Sequence, residues 1–144
     1  MIVIIVIAIL ATDQLTKFFI TKSLSLNQSL PVIKNVFHLT LVHNRGAAFG
    51  ILKNQLPLFI ATAVFAILLI FFNLKKNSHQ KLYGISLSLI LAGAIGNLID
   101  RIAFGYVIDF LDFRVWPVFN VADSAITVGA IVLGWSICFQ KSAT

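Results

Sequence analysis

Five carboxylic acids are the residues of this sequence whose types and positions best suit chemistry. All are aspartates, because the 144-residue chain has no glutamate: Asp13, Asp100, Asp109, Asp112 and Asp123. Several lie in or beside apolar segments, and an ionised aspartate at the middle of a membrane-spanning helix costs about 2.5–3.5 kcal/mol. Acids at such positions indicate a specific role rather than a contribution to solubility.

A pair of neighbouring carboxyl groups would supply hydrolytic chemistry. Two aspartates held close together share a proton, because both cannot easily ionise. The ionised member activates a water while the protonated member polarises a carbonyl group. Asp109 lies inside the apolar strip 107–110, and Asp123 shares a helix face with Asn120. The loop between them is long enough to bring them together, so spacing makes this pair one hypothesis among several.

Other catalytic chemistries fit these residue types less well. Cys138 lies alone in an apolar run, and the histidines His38, His43 and His79 are scattered and expected at the surface. A serine–lysine dyad would need a serine near Lys17, where only threonines occur. Aspartates alone are a weak metal site, and no histidine or cysteine has ligand spacing. We therefore expect neither a metal nor a cofactor.

The remaining acids have structural interpretations as well as functional ones. Asp13 and Lys17 are four residues apart, so an intrahelical ion pair is about as well supported as a role in a site. Asp100, beside Arg101, allows the same two interpretations. Asp112 is expected to be an acid on a loop surface.

Four apolar stretches must position these residues. The chain is 59% hydrophobic and 11% charged, whereas soluble domains are about 25% charged. Each stretch approaches the roughly 20 residues that a spanning helix needs. We expect a single domain, residues 1–144, with spanning helices at about 2–21, 57–74, 82–101 and 119–140. The first lacks the basic start and cleavage site of a signal peptide and is interpreted as a retained helix.

The segments between and within these helices carry further signals. The lysines between residues 75 and 81 predict that this connector lies in the cytoplasm. With four spanning helices, both termini are then also cytoplasmic, and the aspartates lie towards the outer face. Alternating apolar residues over 36–42 predict a strand at the membrane surface. Small residues should let helices approach closely: Gly84, Ser88, Ala92 and Gly96 on the third helix, and Gly129, Ala130 and Gly134 on the fourth.

The residues alone leave two other functions open. One is a small proton-coupled transporter in which Asp13 or Asp123 binds protons. The other is a non-catalytic scaffold or lipid-binding subunit. The net charge of +6 comes from scattered lysines, which favour contact with anionic lipid and do not predict nucleic-acid binding.

Five blocks in the sequence narrow these possibilities. They cover nearly the whole chain: DQLTK at 13–17, NRGAAFG at 44–50, GAIGNLIDR at 93–101, VIDF at 107–110 and FNVADSAI at 119–126. In type and order they resemble the signature blocks of the bacterial lipoprotein signal peptidase family, also called signal peptidase II. One such block is a weak signal, but five in order are specific. The chain departs from the family in beginning directly at its first helix and in a short loop between Asp109 and Asp123.

The resemblance implies an intramembrane aspartic endopeptidase that removes the signal peptide from diacylglyceryl-modified prolipoproteins, just before the lipid-modified cysteine. It implies an all-α membrane protein with four transmembrane helices and a small extracytoplasmic β-strand cradle and loop. Its expected partners are the prolipoprotein and membrane lipid, and we expect a monomer. The expected location is the bacterial cytoplasmic (inner) membrane, with the active site near the extracytoplasmic face. The implied site residues are Asp109 and Asp123 as the catalytic dyad, Asn44, Asn97, Arg101 and Asn120 at the substrate, and Asp13, Lys17 and Asp100 in support.

Overall fold

Four apolar helices form the body of the part of the chain that the structure describes. The computed structural model describes residues 1–46, 55–76 and 81–140. The helices are α1 (Ile2–Ser23), α2 (Leu56–Lys76), α3 (Lys81–Phe104) and α4 (Val121–Gln140). Each is long and apolar enough to cross a membrane, since about 20 residues at 1.5 Å each span the roughly 30 Å hydrocarbon core. The prediction of a multi-pass membrane protein with four spanning helices is confirmed.

A three-stranded antiparallel sheet accompanies the helices. Its strands are β1 (Ser29–Ile33), β2 (Phe37–Asn44) and β3 (Val107–Asp112), in the order β1-β2-β3. The strand predicted over 36–42 is β2. The sequence did not predict β3, because its residues are buried on both faces and therefore lack the alternation that marks a half-buried strand.

The sheet lies at one end of the helical bundle. α1 leads into β1, α3 leads into β3, and β3 is followed by α4. Leu24, Leu41 and Ile108 form a small core at this junction, with Ile20 and Tyr106 packed against it. Because β3 runs from the end of α3 towards the start of α4, it is hydrogen-bonded to Asp100 of α3 and to Asn120, the residue before α4.

α3 packs against the other three helices, and its small residues allow this. A Cβ atom on Gly96 would lie 2.6 Å from Oδ2 of Asp13, and one on Gly129 of α4 would lie 2.8 Å from the carbonyl oxygen of Ser86. The predicted close approach is confirmed at these two positions. It is wrong for Gly134, which has no atom within 4 Å of such a Cβ.

Some sequence features lie outside the described residues. They include 47–50 of the second signature block, 77–80 of the lysine-rich connector, and His79.

Candidate active site

A buried lysine ties together two of the aspartates. Nζ of Lys17 lies 2.8 Å from Oδ2 of Asp13 and 2.8 Å from Oδ2 of Asp100. Oδ1 of Asp13 accepts the backbone N–H of Ala122 at 2.9 Å, and Oδ2 of Asp100 accepts that of Ile108 at 3.1 Å. Charges buried this deeply are tolerated when they are paired and hydrogen-bonded. The Asp13–Lys17 ion pair therefore exists, and it also joins α1 and α3 to α4 and β3.

Asn97 connects this ion-paired group to Asp123. Its Oδ1 accepts a 3.3 Å hydrogen bond from Nζ of Lys17, and its Nδ2 donates to Oδ1 of Asp123 at 2.7 Å. Asn97 and Asp100 belong to α3, and Asp123 lies in the first turn of α4. The tight packing of α3 on α4 is what brings this amide and this carboxyl into contact.

Asn120 connects the two aspartates proposed as a pair. Its Nδ2 donates to Oδ1 of Asp109 at 2.7 Å and to Oδ1 of Asn97 at 3.1 Å. Its Oδ1 accepts the backbone N–H of Asp123 at 2.8 Å, an arrangement that also caps the N-terminus of α4. The side chain is 0% exposed. Asn120 was expected to line the substrate site, but it lies beneath the cavity, because it is enclosed by the groups it bonds.

Asp109 projects from β3, opposite Val42 of β2. Its Oδ2 accepts a 2.9 Å hydrogen bond from Nδ2 of Asn44. Burial and the nearby charge of Asp123 raise the pKa of Asp109 to about 7, while the hydrogen bonds from Asn44 and Asn120 act in the opposite direction. A carboxyl group with so high a pKa can exchange protons near neutral pH.

Both carboxyl groups line one cavity of about 280 Å³. Its wall combines polar residues of β2, α3, β3 and α4 with apolar residues of the loop that precedes α4. The lining residues are Asn44, Gly46, Asn97, Arg101, Val107, Asp109, Trp116, Pro117, Val118, Phe119, Asp123, Ile126 and Thr127. The cavity therefore offers two acids, amide groups and a cation beside an apolar surface.

Arg101 is the cation on this wall. Its guanidinium carbon lies 5.1 Å from the ring centroid of Phe59 in α2, and one of its nitrogens donates to the carbonyl oxygen of Asn97 at 3.3 Å. Within the described ranges no carboxylate oxygen lies within 4.0 Å of it. Among the described residues the guanidinium has no other hydrogen-bond acceptor, and Asp109 and Asp123 attract it through space.

Asp112 lies apart from this network, and its assignment to a loop surface is wrong. It is the last residue of β3 and is 5% exposed. Although burial acts to raise the pKa of Asp112, hydrogen bonds from Thr40 and Arg114 lower it overall. It is enclosed because Thr40 Oγ1, at 2.8 Å, and the Arg114 guanidinium, at 3.0 Å, both bind its Oδ2.

The structure also shows residues around the site that sequence reasoning missed. Nε2 of Gln14 donates to Oδ2 of Asp13 and to Oδ1 of Asp100, each at 3.1 Å. A polar residue inside an apolar helix was the available signal for Gln14. No sequence signal marked Phe59, which contacts Arg101, or Trp116, which lines the cavity. Both positions depend on how distant parts of the chain pack together. The half-buried His38 and His43 contact Ser29 and Tyr106 of the sheet region.

Fold and site together define a multi-pass membrane protein with two carboxyl groups lining one cavity at one end of its helical bundle. Two solved structures of bacterial membrane enzymes, both obtained by the in meso method, share this fold at 30% sequence identity. One has a TM-score of 0.90 and covers 99% of this chain and 89% of its own. The other has a TM-score of 0.87, with 94% and 91% covered.

Comparison of the sequence with known families identifies the family of this chain. The model of the family described as signal peptidase (SPase) II matches residues 5–139, and the chain belongs to that family. It is 47% identical over 133 residues to the lipoprotein signal peptidase of Halothermothrix orenii, covering 92% of each protein. It is 51% identical to that of Moorella thermoacetica, covering 90% of this chain and 87% of the relative. The resemblance inferred from the five blocks is confirmed.

Proposed function

We propose that this protein is an intramembrane aspartic endopeptidase that removes the signal peptide from diacylglyceryl-modified prolipoproteins, cleaving just before the lipid-modified cysteine. The observation that carries the proposal is the placement of Asp109 and Asp123 on one cavity, joined beneath it by Asn120. Membership of the signal peptidase II family and relatives named lipoprotein signal peptidase support the substrate class.

The proposed reaction uses the two aspartates as acid and base. The ionised carboxylate takes a proton from a water, whose oxygen attacks the scissile carbonyl carbon. The protonated carboxyl group donates a hydrogen bond to the carbonyl oxygen and stabilises its developing charge. The proton held by the base then passes to the leaving amine as the C–N bond breaks. No metal or covalent intermediate enters these steps.

Arg101, Asn44 and Asn97 are proposed to hold the substrate backbone at the cavity. A peptide that leaves its helix at this point has backbone groups that lipid cannot satisfy. The guanidinium of Arg101 and the amide group of Asn44 border the same cavity as the acids. Asp13, Lys17 and Asp100 support the site from below by anchoring Asn97 and β3.

The placement in the cell follows from the substrate. We propose one monomeric domain in the bacterial cytoplasmic membrane, with both termini in the cytoplasm and the sheet at the extracytoplasmic face. The sheet lies at the same end of the bundle as the cavity, which suits a substrate that crosses the membrane and is cut near its outer surface.

A cleavage assay tests the proposal. The purified protein in lipid nanodiscs is given a prolipoprotein whose cysteine carries diacylglycerol, and the same prolipoprotein without lipid is the control. Mass spectrometry should find cleavage on the amino side of the modified cysteine, faster for the lipidated form and unchanged by EDTA. A protein that cuts neither form is not this enzyme, and inhibition by EDTA would point to a metal.

The transporter and scaffold alternatives make different predictions. A proton-coupled transporter should move protons in sealed liposomes that contain no prolipoprotein, and it should tolerate loss of Asp109. A scaffold should release no signal peptide under any condition. The hydrogen bonds that join Asp109 to Asp123 through Asn120 favour the peptidase, because neither alternative requires the two acids to be coupled.

A further inference from the structure

A structured loop connects β3 to α4 and forms part of the cavity wall. Residues 113–118, the dyad loop, lie between the strand that carries Asp109 and the helix that carries Asp123. The N–H of Leu111 donates to the carbonyl oxygen of Phe119 at 2.8 Å, and the N–H of Phe119 donates to the carbonyl oxygen of Leu111 at 3.1 Å. This reciprocal pair closes the loop at its base.

The shape of the dyad loop is held by its own contacts. The ring of Phe113 packs against those of Phe37 and Phe119, with centroid distances of 4.9 and 5.9 Å, both within the range of attractive aromatic pairs. Arg114 has a φ of 67°, and the N–H of Val115 donates to the carbonyl oxygen of Phe113 at 2.8 Å, as in a γ-turn of positive φ. A residue with a side chain keeps such a strained φ only where its surroundings enforce it, so the loop has a fixed shape.

The tip of the dyad loop displays apolar side chains beside the cavity. Val115 is 92% exposed and Trp116 is 61% exposed. Trp116 also lines the cavity, together with Pro117 and Val118. The exposed apolar surface of the tip is therefore continuous with the wall of the cavity that holds both acids. Exposed apolar surface that is held in one shape marks a binding surface for an apolar partner.

The cavity wall combines two kinds of surface. The helices and strands contribute the two acids, the amide groups and Arg101, whereas residues 116–119 contribute an unbroken apolar stretch. A peptide backbone has donors and acceptors that lipid cannot satisfy, so the substrate backbone belongs against the polar groups. The apolar stretch is then left for an apolar part of the substrate.

The proposed substrate carries such a part next to the bond that is cut. The diacylglyceryl group is attached to the sulfur of the cysteine that directly follows the scissile bond, so it begins only a few bonds from the reacting carbonyl. Pockets that enclose a drug-sized ligand have volumes of about 300–1,000 Å³. The cavity, of about 280 Å³, has room for the peptide at the scissile bond but not for two acyl chains as well. The chains must therefore leave the cavity across its rim.

We propose that Val115 and Trp116 hold the diacylglyceryl group where it leaves the cavity, and that this contact gives the enzyme its preference for a lipid-modified cysteine. The inference rests on the proposed function and deepens it by naming the residues that select the lipid. Trp116 suits this position, because its side chain lines the cavity and also has a large exposed surface. Its rigid ring supplies a large contact area at a low cost in conformational entropy.

Acyl chains of the bilayer have the same chemistry as those of the substrate, and tryptophans often anchor proteins at the membrane surface. Trp135 provides a comparison within the chain, because it is also 61% exposed but lies near the other end of α4. A membrane anchor has no need to line the catalytic cavity, as Trp116 does. The substrate's own chains are therefore the better-supported occupant of the tip.

Fluorescence quenching distinguishes the two sources of acyl chains. The sequence contains two tryptophans, so Trp135→Phe leaves Trp116 as the only one, and Trp116→Phe leaves Trp135. Both proteins also carry Asp109→Asn, which keeps the substrate uncut, and both are placed in nanodiscs of unbrominated lipid. Lipidated prolipoprotein with brominated acyl chains should quench Trp116 severalfold more than Trp135. Equal quenching of both tryptophans, or of neither, would overturn the proposal.

The reverse labelling tests contact with the bilayer. The nanodisc lipid is now brominated and the lipidated substrate is not. Adding the substrate should relieve part of the quenching of Trp116, because the substrate's chains displace bilayer lipid from the dyad loop. If the bilayer quenches Trp116 and the substrate leaves that quenching unchanged, the loop is a membrane anchor only and the proposal is wrong.

Selectivity of the active enzyme tests the same inference. Trp116→Ala should lower the ratio of kcat/KM for lipidated prolipoprotein to kcat/KM for the unlipidated form by about 10–100-fold, the scale for losing a large apolar contact. Trp116→Phe keeps an aromatic surface and should restore most of the ratio, and Trp135→Ala is the matched control. Equal losses with both substrates would make Trp116 a part of the cavity wall alone and would contradict the proposal.

Val115→Ser repeats this test at a position that packing does not constrain. It should lower the same ratio by about 3–10-fold, and it decides the question if Trp116→Ala does not fold. A ratio that stays at the wild-type value in Val115→Ser would contradict a contact between Val115 and the lipid. A wild-type protein that cleaves neither substrate would disprove the proposed function, whereas the quenching experiment measures contact and needs no cleavage.

Discussion

Asn120 donates a 2.7 Å hydrogen bond to Asp109 from a position with no exposed surface. A residue so placed influences the reaction only through the acids it holds. Asn120→Ala should therefore lower kcat about 100-fold, the usual scale for losing an oriented acid–base group, while KM changes little. Cleavage of lipidated prolipoprotein over a range of concentrations separates the two constants. A rise in KM with kcat unchanged would instead make Asn120 a substrate contact.

The aromatic ring of Phe59 is predicted to position Arg101. Cation–π contacts are worth about 0.5–2 kcal/mol, so Phe59→Leu should reduce kcat/KM by about 2–30-fold. Phe59→Tyr keeps an aromatic face and should restore most of the loss. Phe65→Leu, at a 64% exposed position on the same helix, is the matched control. Equal losses in the leucine and tyrosine variants would exclude the aromatic contact.

Removing Asp109 should change the pH dependence of stability. In the folded protein the pKa of Asp109 is raised to about 7, so the native state binds more protons than the unfolded chain between about pH 4 and pH 7, and stability falls as pH rises through that window. Asp109→Asn removes this loss. Relative to wild type, the free energy of unfolding of the variant should rise by about 2–4 kcal/mol as the pH increases from 4 to 8.

Thermal unfolding in detergent, followed by tryptophan fluorescence at pH 4 and pH 8, measures this change. Asp112→Asn is the control, because the pKa of Asp112 is lowered rather than raised. A stability difference between Asp109→Asn and wild type that does not vary with pH would contradict the raised pKa.

The ion-paired group of Lys17 predicts a strong coupling between substitutions. Lys17→Met leaves Asp13 and Asp100 buried and uncompensated, which should cost about 3–5 kcal/mol. Combining it with Asp13→Asn and Asp100→Asn removes all three charges and should recover most of that stability. The unfolding midpoints of the single and triple variants measure the recovery. A triple variant less stable than Lys17→Met would show that the charges are not the cause.

Hydropathy was enough to predict the helices, because each spans about 20 apolar residues. The strand β2 was visible from its alternation, but β3 was not, since both of its faces are buried. The pairing of Asp109 with Asp123 was only one hypothesis from spacing, and the family resemblance selected it. The anchoring of Asn97 by Lys17 could not be predicted, because it depends on how closely Gly96 lets α1 approach α3. The burial of Asn120, which keeps it from lining the cavity, could not be predicted from the sequence either.

The central claim is that Asp109 and Asp123 together cleave the prolipoprotein. Initial rates with lipidated substrate should be measured for wild type, Asp109→Asn, Asp123→Asn and the control Asp112→Asn, all in nanodiscs and all checked for folding. The dyad mechanism predicts that either dyad substitution lowers the rate at least about 1,000-fold, while Asp112→Asn cleaves at nearly the wild-type rate. Cleavage at the wild-type rate by either dyad variant would contradict it.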